Sequence, residues 1–393
     1  MEIKITSMDH KGNGIGKLDN KVIFVPKSIT GDVCDIDIYK SYKKYDIGKI
    51  NKVIKKSESR KEVLCPYFDI CGGCNISDLD YIEQLKFKVN KVKNIFKKYL
   101  DLEIDPRVIG SVKEYNYRNK ITYHNNSGLG LIGEYGDLVK VDKCLLVSDK
   151  VNELYNQIKK NDLSLVKLIT IKECDNGLML VIDGKMDVKK IEKYCIGIYM
   201  NDKCVYKKED GYIFVDDIKY MLSDKSFFQI NTSNISNLYD EIVRYGSFSK
   251  NDRVIDLYCG VGSISLYIAK YVKSVLGIEI IDEAIKDAKM NAKNNGIDNA
   301  KFLCGDVAKL IDDNIDGDIL IVDPPRVGLD KHTIDVINEK KIKKMIYVSC
   351  DPMTLVRDIK LLNNYELTNI SVVDMFPQTH HVECVVKLIC NDK

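Results

Sequence analysis

The chain has 393 residues, with 60 Lys and Arg, 58 Asp and Glu, 13 Cys and a formal net charge of +2. This length predicts two or three domains, and the lack of any apolar run near the ~18 residues of a membrane helix argues against a membrane protein. No export signal is recognisable, so we expect a cytoplasmic protein whose cysteines serve metal binding, catalysis or packing rather than disulfides.

Charge is distributed unevenly along the chain. Residues 1–120 carry 24 Lys and Arg against 17 Asp and Glu, whereas the remaining residues are slightly acidic. An anionic partner held by the N-terminal region explains this asymmetry, and a solvated lysine-rich surface explains it equally well.

Residues 1–57 are predicted to form a small, OB-like β-barrel. The stretch KVIFVPKSITGDVCDIDIYK alternates apolar and polar residues between Gly and Pro turns, and the Gly-rich turn HKGNGIGK precedes it. Several short strands at this spacing favour a small barrel, which often presents a basic face to nucleic acid.

Residues 58–222 are predicted to form a mostly β central domain. In DYIEQLKFKVNKVKNIFKKYL, residues 80–100, apolar positions recur at helical spacing opposite a lysine-rich face, and we expect this helix to pack on the C-terminal domain. Between residues 110 and 222, short apolar runs alternate with turns such as NNSGLG and DNG, which predicts strands.

Four cysteines form a candidate metal site. CPYFDICGGC contains Cys65, Cys71 and Cys74, and Cys144 in VDKCLLVSD is the candidate fourth ligand. Four thiolates can bind zinc tetrahedrally or hold an iron–sulfur cluster, and the spacing alone does not decide between the two. The remaining cysteines, apart from Cys350, are predicted to be packing residues.

Residues 223–393 alternate short apolar strands with helical segments. This pattern predicts a Rossmann-like α/β fold, in which ligands bind beyond the carboxyl ends of the strands. Those ends carry DLYCGVGS, Glu279, Asp306 and DPPR. An acid at the separation of Glu279 from the first strand is typical of ribose binding, although each acid taken singly is equally well a helix cap or turn residue.

The next strand, MIYVSCDP, ends in Cys350, where the chain is predicted to reach the surface and turn. A free cysteine is usually a packing residue, so its position alone does not indicate chemistry.

Taken together, the strand ends resemble those of S-adenosylmethionine-dependent methyltransferases. The motifs SCDPMTLVRD, DPPR, FPQTHHVE and SFFQIN resemble the RNA uracil-5-methyltransferase family over essentially the whole chain. DHKGNGIGK and VPKSITGDV resemble a TRAM domain, which contacts RNA in that family. The resemblance implies a class I methyltransferase domain, S-adenosylmethionine as methyl donor, RNA as partner and a [4Fe–4S] cluster on the four cysteines, with zinc as the alternative.

The resemblance also implies roles for single residues. Cys350 would be the nucleophile and Glu383, in HHVECV, the general base. The implied cofactor-site residues are Gln229, Tyr258, Glu279, Asp306 and Asp323. Asp323 is also expected to face the uracil edge.

The chemistry of the uracil ring explains why a thiol and a base are wanted. A thiolate that adds to C6 turns the ring into an enolate whose C5 attacks the methyl group, and a base must then remove the C5 proton so that the thiolate can leave. Positive charge beside the thiol is expected to favour its ionised form, although the motifs do not show which group supplies it.

The barrel and the cysteine motif favour 23S ribosomal RNA as the target, because the shorter transfer RNA members lack both. Three alternatives stay open. They are a transfer RNA uridine-5-methyltransferase, an enzyme that methylates exocyclic base amines with Cys350 idle, and a non-enzymatic iron–sulfur RNA-binding protein. No obligate protein partner is inferred.

Overall fold

Four β-sheets follow one another along the described part of this computed structural model, residues 1–314 and 316–391. The largest sheet lies in the C-terminal half and has a separate apolar cluster on each face. Ile319 and Ile321 belong to one cluster, whereas Leu320 and Val322 belong to the other. No helix among the described residues combines the length and the apolar character that crossing a membrane requires.

The N-terminal sheet has the strand order β1-β5-β6-β4-β3-β2. Its strands are β1 (Glu2–Lys4), β2 (Ser7–Met8), β3 (Gly14–Leu18), β4 (Lys21–Val25), β5 (Val33–Ser41) and β6 (Tyr45–Lys55). The sheet curls so that β1 approaches β3, where a Cβ added at Gly16 would lie 2.6 Å from the Ile3 side chain. Glycine is required there because the two strands pass too closely for any side chain.

The second sheet has the order β10-β9-β8-β11-β12-β13-β14, and β15 pairs with β16 in a separate hairpin. The elements in this part of the chain are α1 (Tyr81–Leu100), β7 (Arg107–Ile109), β8 (Lys120–Asn125), β9 (Leu129–Ile132), β10 (Leu138–Val139), α2 (Asp149–Ile158), β11 (Leu165–Cys174), β12 (Gly177–Lys185), β13 (Cys195–Met200), β14 (Lys203–Lys207), β15 (Gly211–Val215) and β16 (Ile218–Leu222).

Helix α2 interrupts a region that the sequence predicts as strands. Val151, Leu154, Tyr155 and Ile158 are all buried on one face of α2, at helical spacing. The Ser148 side chain caps the helix by accepting a hydrogen bond from the Val151 N–H. Both features are present in the sequence, so the helix was missed because the surrounding turn and strand signals outweighed its period.

The C-terminal sheet has the order β19-β18-β17-β20-β21-β23-β22-β7. The elements of this region are α3 (Ile235–Gly246), β17 (Arg253–Leu257), α4 (Ser263–Ala269), β18 (Ser274–Glu279), α5 (Asp282–Asn294), β19 (Ala300–Cys304), α6 (Val307–Asn314), β20 (Ile319–Val322), α7 (Lys331–Lys340), β21 (Lys344–Ser349), α8 (Pro352–Leu361), β22 (Tyr365–Val373) and β23 (Glu383–Cys390).

Strands β17 to β21 are parallel, as the alternating pattern predicts, but β23 runs antiparallel to β21 and to β22. The reason is the connection between β22 and β23, a loop without a crossover helix, which can join only antiparallel neighbours. This reversal brings the start of β23 to the same edge of the sheet as the end of β21.

Elements from the predicted central segment lie against this sheet. Strand β7 pairs with β22, and α1 packs beside α8. Lys88 of α1 and Asp374 form an ion pair of 2.6 Å with both side chains fully buried. Tyr81 donates a further hydrogen bond of 3.0 Å to Asp374. The domain boundaries predicted at residues 57 and 222 stay predictions.

We expect Lys88→Met to lower the free energy of unfolding by about 3–5 kcal/mol, because the buried Asp374 carboxylate would lose its counter-charge. Urea denaturation followed by circular dichroism measures this change. Lys86→Met is the matched control, since Lys86 pairs with Glu83 on the exposed face of the same helix and should cost below about 1 kcal/mol. The double variant Lys88→Met/Asp374→Leu should recover part of the loss, and a still larger loss would contradict the explanation.

Candidate active site

The loops after the adjacent parallel strands β17, β18 and β19 lie side by side at one edge of the C-terminal sheet and form the candidate binding crevice. Gly260 has a left-handed backbone (φ 54°), and nothing lies within 4 Å of the position a Cβ would take. The Gly260 N–H donates to Glu279 Oε2 at 3.2 Å, and the Ile281 N–H donates to Glu279 Oε1 at 3.0 Å. The glycine turn therefore presents open backbone to the crevice beside a fixed carboxylate.

Two other carboxylates and a tyrosine surround this turn. Asp256 is fully buried, and its Oδ2 accepts a hydrogen bond of 2.5 Å from Ser265 while Oδ1 has no partner. Burial raises the pKa of Asp256 to about 7. Asp306 directly precedes α6 and accepts a hydrogen bond of 3.1 Å from the Ala308 N–H. Tyr258 follows β17, and burial raises its pKa to about 12.

Gln229 and Asp323 meet farther along the same edge. The Gln229 side-chain amide donates to Asp323 Oδ2 at 3.5 Å. Asn119 fixes the Gln229 segment by donating from its side chain to the Gln229 carbonyl at 3.0 Å. Three of the five predicted cofactor-site residues, Tyr258, Glu279 and Asp306, therefore lie at the ends of β17, β18 and β19. The other two, Gln229 and Asp323, meet at the end of β20.

Cys350 and Glu383 are brought together by the reversed strand. Ser349, the last residue of β21, pairs with Cys384 of β23, so their neighbours Cys350 and Glu383 lie at adjacent strand ends. Glu383 is only 2% exposed, whereas Cys350 is partly exposed. A thiol that incoming groups can reach thus lies next to a carboxyl group shielded from water.

Electrostatics couple these groups to Asp323. Burial, and then the Glu383 and Asp323 carboxylates, raise the pKa of the Cys350 thiol to about 12. Burial and the nearby Asp323 also raise the pKa of Glu383 well above its usual value. Each of these two carboxyl groups therefore disfavours the ionisation of the other.

Arg326 supplies the positive charge beside the thiol. Its guanidinium lowers the pKa of both Cys350 and Glu383, against the effect of burial. Thr354 donates to the Arg326 carbonyl at 2.9 Å, which ties the DPPR loop to α8. His381 Nδ1 lies 3.5 Å from the Arg326 guanidinium. Arg326 is the last residue of the DPPR motif, and no role was predicted for it from the sequence. The cation after two prolines in that motif was the signal that could have indicated one.

We expect Arg326→Gln to lower kcat/KM by about tenfold to a hundredfold at pH 7, because the thiolate of Cys350 would lose its counter-charge. Below the raised pKa of the Cys350 thiol the deficit should be the same at every pH, because the thiolate fractions of the two proteins then rise in parallel. A pH profile of methyl transfer measures this, with Arg326→Lys expected to keep part of the rate. An Arg326→Gln enzyme with the wild-type rate at pH 7 would contradict the assigned effect on the thiol.

The four predicted ligand cysteines line one cavity of about 630 Å³, together with Arg118 and Lys120. The Gly73 N–H donates to Cys71 Sγ at 3.4 Å, and a Cβ at Gly72 would lie 2.9 Å from the Gly133 carbonyl. Across residues 1–314 and 316–391, no three His, Cys, Asp or Glu side chains are grouped as a single metal ion would need. The four thiols therefore share one cavity, without the grouping that a single bound metal ion needs.

This cysteine loop also contacts the loop that precedes Glu383. The Asn75 N–H donates to the Gln378 carbonyl at 3.1 Å, and Asn75 Oδ1 lies 2.8 Å from His380 Nδ1. Lys91 donates to the His380 carbonyl at 2.9 Å. The cysteine loop and the loop that precedes Glu383 are thus joined by direct hydrogen bonds.

Comparison with protein-family models agrees with this geometry. Residues 198–310 and 307–391 match the family model described as tRNA (Uracil-5-)-methyltransferase, and residues 1–50 match the TRAM domain model. An uncharacterised RNA methyltransferase of Clostridium acetobutylicum is 34% identical over 450 aligned residues, which cover 100% of this chain and 97% of that protein. One from Caldanaerobacter subterraneus subsp. tengcongensis is 33% identical over 446 aligned residues, covering 98% and 96%.

A solved structure extends the comparison to three dimensions. The Pyrococcus abyssi tRNA (uracil-54, C5)-methyltransferase, in complex with S-adenosyl-L-homocysteine, is similar with a TM-score of 0.81 and 26% sequence identity, covering 99% of this chain and 100% of that chain. The fold and crevice thus define an S-adenosylmethionine-dependent methyltransferase with a Rossmann-like domain and an N-terminal TRAM domain. More narrowly, the chain belongs to the RNA uracil-5-methyltransferase family. The predicted fold class and family are confirmed.

Proposed function

We propose that this enzyme methylates C5 of a uridine in RNA through a covalent bond between Cys350 and uracil C6. The observation that carries this proposal is the meeting of Cys350 and Glu383 at adjacent strand ends, with Asp323 and Arg326 beside them. An enzyme that methylates a base amine needs no thiol at this position, whereas attack through C5 needs both a nucleophile and a base.

The nucleophile must be ionised when the uracil arrives. In the free protein the raised pKa of Cys350 keeps the thiol protonated, so it is protected from oxidation and unspecific reaction. We infer that Arg326 stabilises the thiolate once a base fills the site. As sulfur adds to C6, negative charge moves onto the uracil O4, and the guanidinium can stabilise that charge as well.

The base must accept a proton only after methyl transfer. Glu383 is shielded from water, and its pKa is raised by burial and by Asp323, which suits a carboxylate that has to take a proton from carbon. When Glu383 removes the C5 proton, the electron pair of that bond restores the C5–C6 double bond and expels the Cys350 thiolate. We infer that Asp323 hydrogen-bonds the uracil edge and that Gln229, which donates to Asp323, lines the adjoining cofactor site.

The crevice around Gly260 fits S-adenosylmethionine, because it offers open backbone beside acidic side chains. We infer that Glu279 holds the ribose hydroxyls, that Asp306 accepts from the adenine amine, and that Tyr258 covers the adenosine. The bound sulfonium supplies an electrophilic methyl group. The residues of the chain bind and orient it so that the methyl faces the Cys350 side of the crevice.

We infer that the four cysteines hold a [4Fe–4S] cluster. The donor set is four thiols lining one cavity, which a cluster or a tetrahedral zinc ion could use, and the resemblance to the uracil-5-methyltransferase family favours the cluster. The Gly73 N–H that points at Cys71 Sγ is the kind of hydrogen bond such sulfur ligands receive. The methyl-transfer steps above need no electron transfer, so we assign the cluster a structural role.

The target RNA is proposed to be 23S ribosomal RNA, with transfer RNA as the second candidate. The N-terminal barrel and the cysteine motif support the first candidate, and the similarity to the Pyrococcus abyssi transfer RNA enzyme over the full length of both chains supports the second. The test is to incubate the purified protein and labelled S-adenosylmethionine with ribosomal and transfer RNA from cells lacking the enzyme, and then to analyse nucleosides after digestion.

Labelled 5-methyluridine from ribosomal RNA alone supports the first target, and from transfer RNA alone the second. Label on a base amine, or in neither RNA, would overturn the proposed reaction. Mass spectrometry of nuclease fragments of the methylated RNA then identifies the uridine.

A further inference from the structure

Lys27 reaches from the N-terminal sheet into the cysteine site. It lies in the loop between β4 and β5, and only 6% of the residue is exposed. Its ammonium group donates to the Cys71 carbonyl at 2.9 Å and also to the Cys74 carbonyl. It lies 4.6 Å from the centre of the Phe68 ring. One buried cation therefore contacts the loop that carries two of the four candidate ligands.

Lys27 has a strained backbone conformation that its neighbours stabilise. Its φ of 62° lies in the left-handed region, which favours glycine and strains a lysine. Arg60 donates to the Lys27 carbonyl at 3.1 Å and is itself paired with the buried Asp32 and Asp78. The strained conformation is thus maintained by contacts at both ends of the residue.

We propose that Lys27 is a further residue of the cysteine site, which fixes the Cys71–Cys74 loop and stabilises an anionic cluster there. This inference rests on the cluster in the proposed function. Four thiolates bring more negative charge than the iron–sulfide core offsets, so a buried cation beside them has a large effect in a site with little water. Hydrogen bonds and net charge near the ligands set both the affinity and the reduction potential of such clusters.

Glu134 provides an internal comparison. Its Oε2 lies 3.1 Å from the Lys27 ammonium, and its side chain is 15% exposed. Removing the lysine would leave the negative charge of Glu134 uncompensated, whereas removing the carboxylate would leave the positive charge of Lys27 uncompensated. The two changes therefore alter the local charge in opposite directions, although both break the same ion pair.

The experiment compares full-length wild type with Lys27→Met, Glu134→Gln and a control, Lys17→Met, which changes an exposed lysine of the same sheet. Each protein is reconstituted anaerobically with iron and sulfide. Two quantities are measured, the rate of iron loss to a chelator and the one-electron midpoint potential of the cluster. Thermal unfolding before reconstitution checks that each variant is folded.

We expect Lys27→Met to lose iron about 10–100-fold faster than wild type and to have a lower midpoint potential, because a cation that favours the reduced cluster is gone. Glu134→Gln should have a higher potential, and Lys17→Met should match the wild type in both quantities. A purely structural role for the ion pair would shift the potential of Lys27→Met and Glu134→Gln in the same direction, which would overturn the proposal.

Lys27→Arg covers the case in which Lys27→Met does not fold. It keeps the charge, so its potential should stay near that of the wild type, and a potential that falls clearly below it would count against Lys27 as the source of the effect. A wild type that takes up no iron would overturn both the cluster and this role. The methyl-transfer proposal would stand or fall separately, on the labelled-RNA assay.

Discussion

Cys350→Ala is expected to abolish formation of 5-methyluridine, with a loss of at least about 10⁴-fold in rate, because no other group can form the bond to uracil C6. The free energy of unfolding should change little, since Cys350 is only partly buried at the end of β21. The measurement is transfer of labelled methyl from S-adenosylmethionine to the RNA that the wild type accepts, followed by nucleoside analysis.

The matched control is Cys204→Ala, which removes an exposed cysteine on β14, in a different sheet from the crevice. It should retain wild-type activity. A Cys350→Ala protein that binds RNA and still forms 5-methyluridine at the wild-type rate would show that the thiol is a packing residue.

Glu383→Gln is expected to trap the enzyme on its substrate. The amide is close in size to the carboxyl group but cannot accept the C5 proton, so the sulfur–carbon bond would form and methyl transfer would proceed, but the thiolate would not leave. We expect turnover to fall by about 10²–10⁴-fold. A covalent protein–RNA complex carrying one labelled methyl group should accumulate, visible as a slower band on a denaturing gel.

Two variants complete this experiment. Cys350→Ala/Glu383→Gln should form no such complex, because its nucleophile is missing. Glu383→Asp keeps a carboxylate at a greater distance and should release product slowly. A Glu383→Gln enzyme that turns over normally would show that another group removes the proton.

The pH dependence follows from the direction of the pKa shifts. Both groups have raised pKa values, Cys350 through burial and the two carboxylates, and Glu383 through burial and Asp323. Both must be ionised to react, so turnover should rise as pH increases through neutrality, with no decline on the alkaline side until other groups titrate. The pH profile planned for Arg326→Gln measures this on the wild type too.

Short-range sequence patterns were sufficient to predict the parallel strands of the C-terminal sheet and the residues at their ends. Apolar runs bounded by turn residues located β17 to β21, because β17, β20 and β21 are buried along almost their whole length and are mostly apolar. The same patterns placed Glu279, Asp306 and Cys350 at strand ends. Helix α2 was not predicted, nor was the reversed direction of β23, because pairing direction depends on the connecting loop.

Local sequence patterns identify the chemical groups of this enzyme, which are a thiol after a buried strand, acids at the ends of three others, and four cysteines in two distant segments. Which of these groups meet depends on the packing of elements that are far apart in the chain. Pairing of β21 with β23 brings Glu383 beside Cys350, and folding of the DPPR loop onto α8 places Arg326 there. The N-terminal sheet likewise brings Lys27 to the cysteine cavity. Such contacts join residues far apart in the chain, and no local periodicity records them, because they depend on how whole elements pack.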